Sequence, residues 1–193
     1  MKRLILSTLP ILAAAPALAH PGHVGQAPFV AGVVHPLLGA DHLLAMIAVG
    51  LWAAHLGGAA LPGLPAAFVA AMVAGFTVAL GGGVLPLVEP MILASVLVLG
   101  LMLALALRLP TGASAALVAL FGLFHGFAHG QEMGEGGAAA FGAGFALSTA
   151  LLHAAGAGLG LVLGQWFPQA RGQALLRALG AVTLTGGVVI AMA

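Results

Sequence analysis

Charge is what this chain has least of. Only 5% of its 193 residues are Asp, Glu, Lys or Arg, while 62% are hydrophobic, and the formal net charge is +1. No soluble domain of this length hides so much apolar surface behind so few charges. Cysteine is absent, which excludes disulfides, thiolate metal sites and a cysteine nucleophile. Lys2 is the only lysine, so no Gly-rich loop here ends in the lysine an ATP-binding P-loop requires. A Schiff-base lysine is excluded for the same reason. A charge near zero offers nothing to nucleic acid. Tyrosine is missing and tryptophan occurs twice, whereas glycine occurs 30 times. Such a composition belongs to closely packed helices in a lipid bilayer.

What is present is apolar sequence in membrane-length pieces. Residues 1–19, "MKRLILSTLPILAAAPALA", read as a secretory signal with two cationic residues, an apolar core and the small-residue cleavage site Ala17-Leu18-Ala19. The alternative is an uncleaved first span. With cleavage, the mature chain runs from His20 to residue 193 as one transmembrane transport domain, its amino terminus outside. Six apolar stretches follow, near 29–54, 64–82, 86–107, 113–131, 138–164 and 172–192, each long enough to cross as a helix. The expected fold is an all-α polytopic bundle of six transmembrane helices, with two halves of three that suggest 3+3 inverted repeats. A homo-oligomer is left open.

The positive-inside rule gives an independent check. With the amino terminus outside, Arg108, Arg171 and Arg177 fall at cytoplasmic connections, and Glu132 and Glu135 at an outer one. That arrangement fits a multi-pass protein of the cytoplasmic (inner) membrane. Gly122, Gly126 and Gly130 recur every four residues, as do Gly156, Gly160 and Gly164. Small residues at that spacing let helix backbones approach one another, and no chemistry is assigned to them.

Polar side chains inside these spans do call for chemistry. The stretch "HPLLGADHLLAMIAVG", residues 35–50, places His35, Asp41 and His42 in a segment bound for hydrocarbon. An ionised carboxylate near the bilayer centre costs roughly 2.5–3.5 kcal/mol even on the lenient insertion scale, so intramembrane ionisable groups are functional by default. In an unbroken helix His35 and His42 lie about 10 Å apart along the axis, too far to share one ion with bonds of about 2 Å. Pro36 and Gly39 sit between them, where a helix can unwind. Broken helices with polar groups at mid-depth recur where transporters hold ions. Met46 adds a soft sulfur one turn after His42.

The second cluster is "FHGFAHGQE", residues 124–132. His125, His129 and Glu132 line one helical stripe, and two imidazoles four residues apart can chelate one divalent ion. Position 126 is Gly, so the His-Glu-x-x-His pattern of a metalloprotease fails. No Gly-x-Ser-x-Gly nucleophile motif is present either. The reading is therefore not an enzyme. Outside the clusters, His153 either relays an ion or caps a packing contact. Glu89 reads as interfacial, and His55 as lying in the inner headgroup region. His20 and His23 either capture metal outside or belong to a solvated tail.

The histidine motif "HPGH" after the signal, "HPLLGADHLLAMIAVG" and "FHGFAHGQE" together resemble the HupE/UreJ family of hydrogenase and urease accessory membrane proteins, over nearly the whole chain. Members are regarded as nickel permeases, so the resemblance implies nickel uptake. By position, His35, Asp41 and His42 match the first motif, and His125 and Glu132 the second. His129 occupies a variable position, so its role rests on helical spacing alone.

The residues themselves imply a cation site; the metal comes from the resemblance. Together they give a permease bringing Ni²⁺ inward, with no nucleotide site and with lipid and the metal ion as partners. No resident cofactor is implied. Co²⁺, Cu and Zn²⁺ remain open, since ligand chemistry alone ranks copper above nickel. A different class, a haem-holding anchor for electron transfer through paired histidines, is also open. Counting depth at about 1.5 Å per residue gives an expected ladder. It runs from Glu132 at the outer mouth, through His35 with His129, to Asp41, His42 and His125 as a central site. That order requires the first and fourth spans to be adjacent, with the Gly122/Gly126/Gly130 stripe permitting their approach.

Overall fold

A computed structural model describes residues 27–133 and 137–193. The signal segment, His20, His23 and Glu135 lie outside the described residues. Every regular element among the described residues is helical: α1 (Pro28–Leu38), α2 (Ala40–Leu56), α3 (Ala60–Leu80), α4 (Val88–Ala104), α5 (Thr111–Glu132), α6 (Ala138–Trp166) and α7 (Gln169–Met192). The all-α bundle expected from hydropathy is what forms. Where Gly, Pro and the few polar residues interrupt the apolar runs, the helices end.

The number of crossings differs from the expected six. Helices α3, α5, α6 and α7 are long and apolar enough to cross a membrane, which makes the protein multi-pass. Helices α1 and α2 form a fifth span if taken together, but they are bent by 82° at their junction. Helix α4 has 17 residues, at the short limit of about 17–25 for a spanning helix. Length and composition thus give four or five spans, and a sixth rests on α4.

The bend is local chemistry. Pro36 lies inside α1, and Gly39, at φ −87° and ψ 118°, is extended between the helices. Proline removes a backbone donor, and glycine has the least to lose by leaving the helix. Helix α2 restarts at once, with the Leu43 amide donating to the Gly39 carbonyl over 2.9 Å.

Glycine sets the packing in four helix pairs, each of them reciprocal; in the α1–α6 pair Gly32 lies against Phe141 and Gly144 against Phe29. Gly122, Gly126 and Gly130 of α5 lie against the backbone of α3 at Phe68, Met72 and Phe76, while Gly75 of α3 lies against Leu123 of α5. Gly50 of α2 meets the His153 carbonyl of α6, and Gly156 of α6 meets that of Ile47. Gly100 of α4 faces Leu184 of α7, and Gly180 of α7 faces Leu103 and Ala104. A Cβ at any of these positions would run into backbone. Gly164, at the end of its stripe, faces open space.

The surface is inverted relative to a soluble protein. Leu101, Leu120, Leu147, Leu151, Val182 and Val188 are exposed, whereas His42, His125, His129 and His153 are buried. Lipid accepts the first group, and the bundle interior must satisfy the second. At one end Arg108 caps α2, donating to the carbonyls of His55 (2.6 Å) and Leu56 (2.7 Å). A cation there complements the helix C-terminus. His55 Nε2 donates to the Ala106 carbonyl (3.1 Å), and Trp52 Nε1 to that of Leu107 (3.0 Å). A cavity of about 250 Å³ at this end is lined by His55, Arg108, Gln169 and Gln173, among others.

Candidate metal centre

The break at Gly39 aims two motifs at each other. Because α1 turns away by 82°, His35 and Asp41-His42 no longer follow one straight axis. The rings of His35 and His42 come to 6.3 Å, centroid to centroid. Helix α5 supplies the other side. The His129 ring lies 4.4 Å from His35 and 4.6 Å from His42, and the His125 ring lies 5.0 Å from His42. Four imidazoles from α1, α2 and α5 thus form one continuous cluster.

Each of three rings has its Nδ1 committed elsewhere. Asp41 Oδ1 accepts from His42 Nδ1 over 2.7 Å and from the His42 backbone amide over 2.8 Å. Glu132 Oε2 accepts from His129 Nδ1 over 3.2 Å. The Phe121 carbonyl accepts from His125 Nδ1 over 2.9 Å. With the proton of each neutral ring assigned to Nδ1 by these acceptors, Nε2 carries the lone pair. Carboxylates and carbonyls behind an imidazole are the usual means of presenting its other nitrogen to a metal.

Two of those lone pairs face each other. His42 Nε2 and His129 Nε2 are 2.6 Å apart. Two lone pairs cannot meet at that distance without a positive charge or a shared proton between them. His125 Nε2 is buried and has no hydrogen-bond partner, which costs about 1–3 kcal/mol unless a ligand takes it up. His35, His129 and Glu132 form a second overlapping set, offering ligand atoms within 4.8 Å of one another. His35 Nε2 lies 3.7 Å from Glu132 Oε2.

The expected site residues therefore fall into three groups. His35, Asp41, His42, His125, His129 and Glu132 come together. Met46 is buried in the apolar core one turn beyond His42. His153 is buried on α6, 5.0 Å from the Phe68 ring, which is itself 5.4 Å from His125. Asp41 is not simply an extra oxygen ligand: one carboxylate oxygen is already held by His42. The glycine stripe needs a plainer correction. Gly122, Gly126 and Gly130 face α3, not the first span. Their side of α5 is the one that needs close backbone contact, while the imidazole side needs space for two layers of rings.

Two features went unread in the sequence. Glu89, taken as merely interfacial, lines a cleft of about 370 Å³ together with Asp41. Phe68 packs against both His125 and His153. No spacing rule marks either one, because both partners are distant in the chain.

Comparison with known proteins agrees with the motifs. The family profile described as HupE / UreJ protein matches residues 8–190. The chain belongs to the HupE/UreJ family. Protein HupE of Rhizobium leguminosarum bv. viciae is 40% identical over 190 residues, covering 96% of each chain. No solved structure matches. As a HupE/UreJ family member, the chain keeps both of its histidine motifs within the matched region.

Proposed function

We propose that this HupE/UreJ protein is a permease that carries Ni²⁺ inward across the cytoplasmic membrane for hydrogenase or urease maturation. The observation that carries the reading is the facing pair of Nε2 atoms on His42 and His129, 2.6 Å apart with both Nδ1 atoms held by carboxylates. A cation with bonds of about 2 Å fits between them after the rings part slightly. Nitrogen and oxygen ligands suit a borderline divalent ion. Family membership supports nickel over cobalt, copper or zinc.

In this mechanism Glu132 and His35 receive the ion at the outer mouth, and His129, His42 and His125 take it into the bundle. Asp41 and Glu132 hold the imidazoles in the ligating tautomer and offset the ion's charge. Neutral imidazoles bind, so protons leave when the site loads. The chain acts as a transporter rather than an enzyme. Arg108, Arg171 and Arg177 mark the cytoplasmic end, and the mature amino terminus at His20 lies outside.

Six crossings, counting α1–α2 as one and α4 as another, complete the topology. Inverted 3+3 repeats are supported by the packing. Exchanging the two halves turns the α3–α5 pair into the α2–α6 pair and leaves α4–α7 paired with itself. Direct ring-on-ring contact leaves no slot for a porphyrin, so a purified protein without a Soret band is expected.

The test is metal accumulation in cells lacking their own importers, with Ni²⁺, Co²⁺, Zn²⁺ and Cu compared. Nickel should accumulate above the empty-vector level and above the other metals. Equal accumulation with and without the protein would remove the import reading.

A further inference from the structure

Beyond the outer cluster, α6 carries polar groups that the bundle leaves unsatisfied. His153 is completely buried, and neither of its ring nitrogens has a hydrogen-bond partner. Thr149, one turn away on the same face of α6, is completely buried, and its hydroxyl is likewise unpartnered. A serine or threonine in a helix ordinarily bonds back to a carbonyl four residues earlier, as Thr77 and Thr183 do here. Thr149 does not. With His125 Nε2, these atoms are the four buried side-chain polar atoms without partners among the described residues.

They share one neighbourhood. The Phe68 ring lies 5.4 Å from the His125 ring and 5.0 Å from the His153 ring. Gly50, whose missing Cβ makes room for the His153 carbonyl, is eight residues or about 12 Å further along α2 than His42. His153 is therefore deeper than the outer cluster. On the other side of it, Gly160 lines the cavity beside His55 and Arg108, seven residues or about 10 Å along the same face of α6. An imidazole there leaves both nitrogens unmet and uncompensated for the loss of water, where a phenylalanine or leucine would pack without that cost. Packing does not account for it.

We propose that His153, with the Thr149 hydroxyl one turn before it on α6, is a second and deeper cation station, reached from His125 past the Phe68 ring. It rests on the transport reading above and names the next step of it. An ion released by His42 and His129 leaves the outer cluster by way of His125, passes the Phe68 ring and is taken up by His153 and Thr149. An imidazole nitrogen and a hydroxyl suit the same borderline divalent cation as the outer cluster. The cavity at the arginine end lies about 10 Å further along α6.

The absence of cysteine makes this directly testable, because His153→Cys gives the full-length protein one thiol. In detergent-purified His153→Cys, added Ni²⁺ should produce a thiolate-to-nickel charge-transfer absorption. Thr149→Cys gives the same readout from the neighbouring turn and covers the case in which the first variant folds poorly. In cells, His153→Leu should lower nickel uptake about tenfold.

Thiols at 149 and 153 that give no nickel–thiolate absorption at saturating Ni²⁺ would overturn the inner station. Wild-type uptake by His153→Leu would do the same. Wild-type protein is assayed for accumulation in parallel. Failure there with a nickel–thiolate band present removes the transport reading and leaves the station, so the two failures are distinguishable.

Discussion

Asp41 holds His42 by two hydrogen bonds, from the ring Nδ1 at 2.7 Å and from the backbone amide at 2.8 Å. The carboxylate sits in the first turn of α2, at the positive end of the helix dipole. The same bonds therefore keep the charge in place and turn His42 Nε2 toward His129.

Removing that hold should weaken the site without removing a ring. Groups that orient a metal-bound histidine typically contribute 10–100-fold to affinity. Asp41→Ala should weaken Ni²⁺ binding by about 10–100-fold, and Asp41→Asn, which keeps an acceptor but not the charge, by less. His42→Ala and Asp41→Ala should both abolish uptake while the protein still reaches the membrane. Equilibrium dialysis with purified protein and uptake in cells are the measurements; near-normal values for both variants would reduce these residues to structural contacts.

How far the site was legible follows from which signals are local. Pro36 and Gly39 marked the break in the first span, because proline and glycine act on their own backbone. They could not give the 82° bend, which depends on how α1 and α2 each pack on α6. The spacing of His125, His129 and Glu132 fixed a common stripe. The stripe of Gly122, Gly126 and Gly130 fixed a second face of the same helix, but periodicity names a face and not its partner. It was assigned to the first span and belongs to α3. The six apolar stretches match the helices within four residues at every end, yet the crossings they imply hinge on the bent pair and the short α4.

The glycine contacts give a stability prediction with its own control. A Cβ on Gly126 would collide with the Met72 backbone, whereas one on Gly158 meets nothing within 4 Å. Gly126→Ala should therefore force α3 and α5 apart, lowering the unfolding temperature in detergent and the uptake rate together. Gly158→Ala should leave uptake unchanged and stability equal or higher, since alanine in a helix is favoured over glycine by roughly 0.5–1 kcal/mol. Equal effects of the two would mean that the α3–α5 contact does not hold the bundle.

The signal reading predicts an intact mass corresponding to a chain that begins at His20. A free amino terminus with His20 and His23 would then face the outer medium. Their replacement by alanine should slow uptake mainly at limiting nickel, because a capture site matters only when ions are scarce. Retention of residues 1–19 would add a span and invert the assumed orientation.

Orientation is decided by the two ends of the bundle, and the absence of cysteine allows each end to be labelled alone. Arg108 binds the end of α2 and shares a cavity with Gln169 and Gln173 at the start of α7. Arg171 and Arg177 follow in the same helix, so the described arginines gather at this end. The described carboxylates Asp41, Glu89 and Glu132 lie toward the other, where the α3–α4 connection carries Val84, 91% exposed. Lys and Arg near short connections favour the cytoplasm, while Asp and Glu have little influence on orientation. In intact spheroplasts, a membrane-impermeant maleimide should label Val84→Cys and leave Gln169→Cys untouched until the membrane is opened. The reverse pattern would place Glu132 and His35 on the cytoplasmic side. The cluster would then load from within, and import would give way to export.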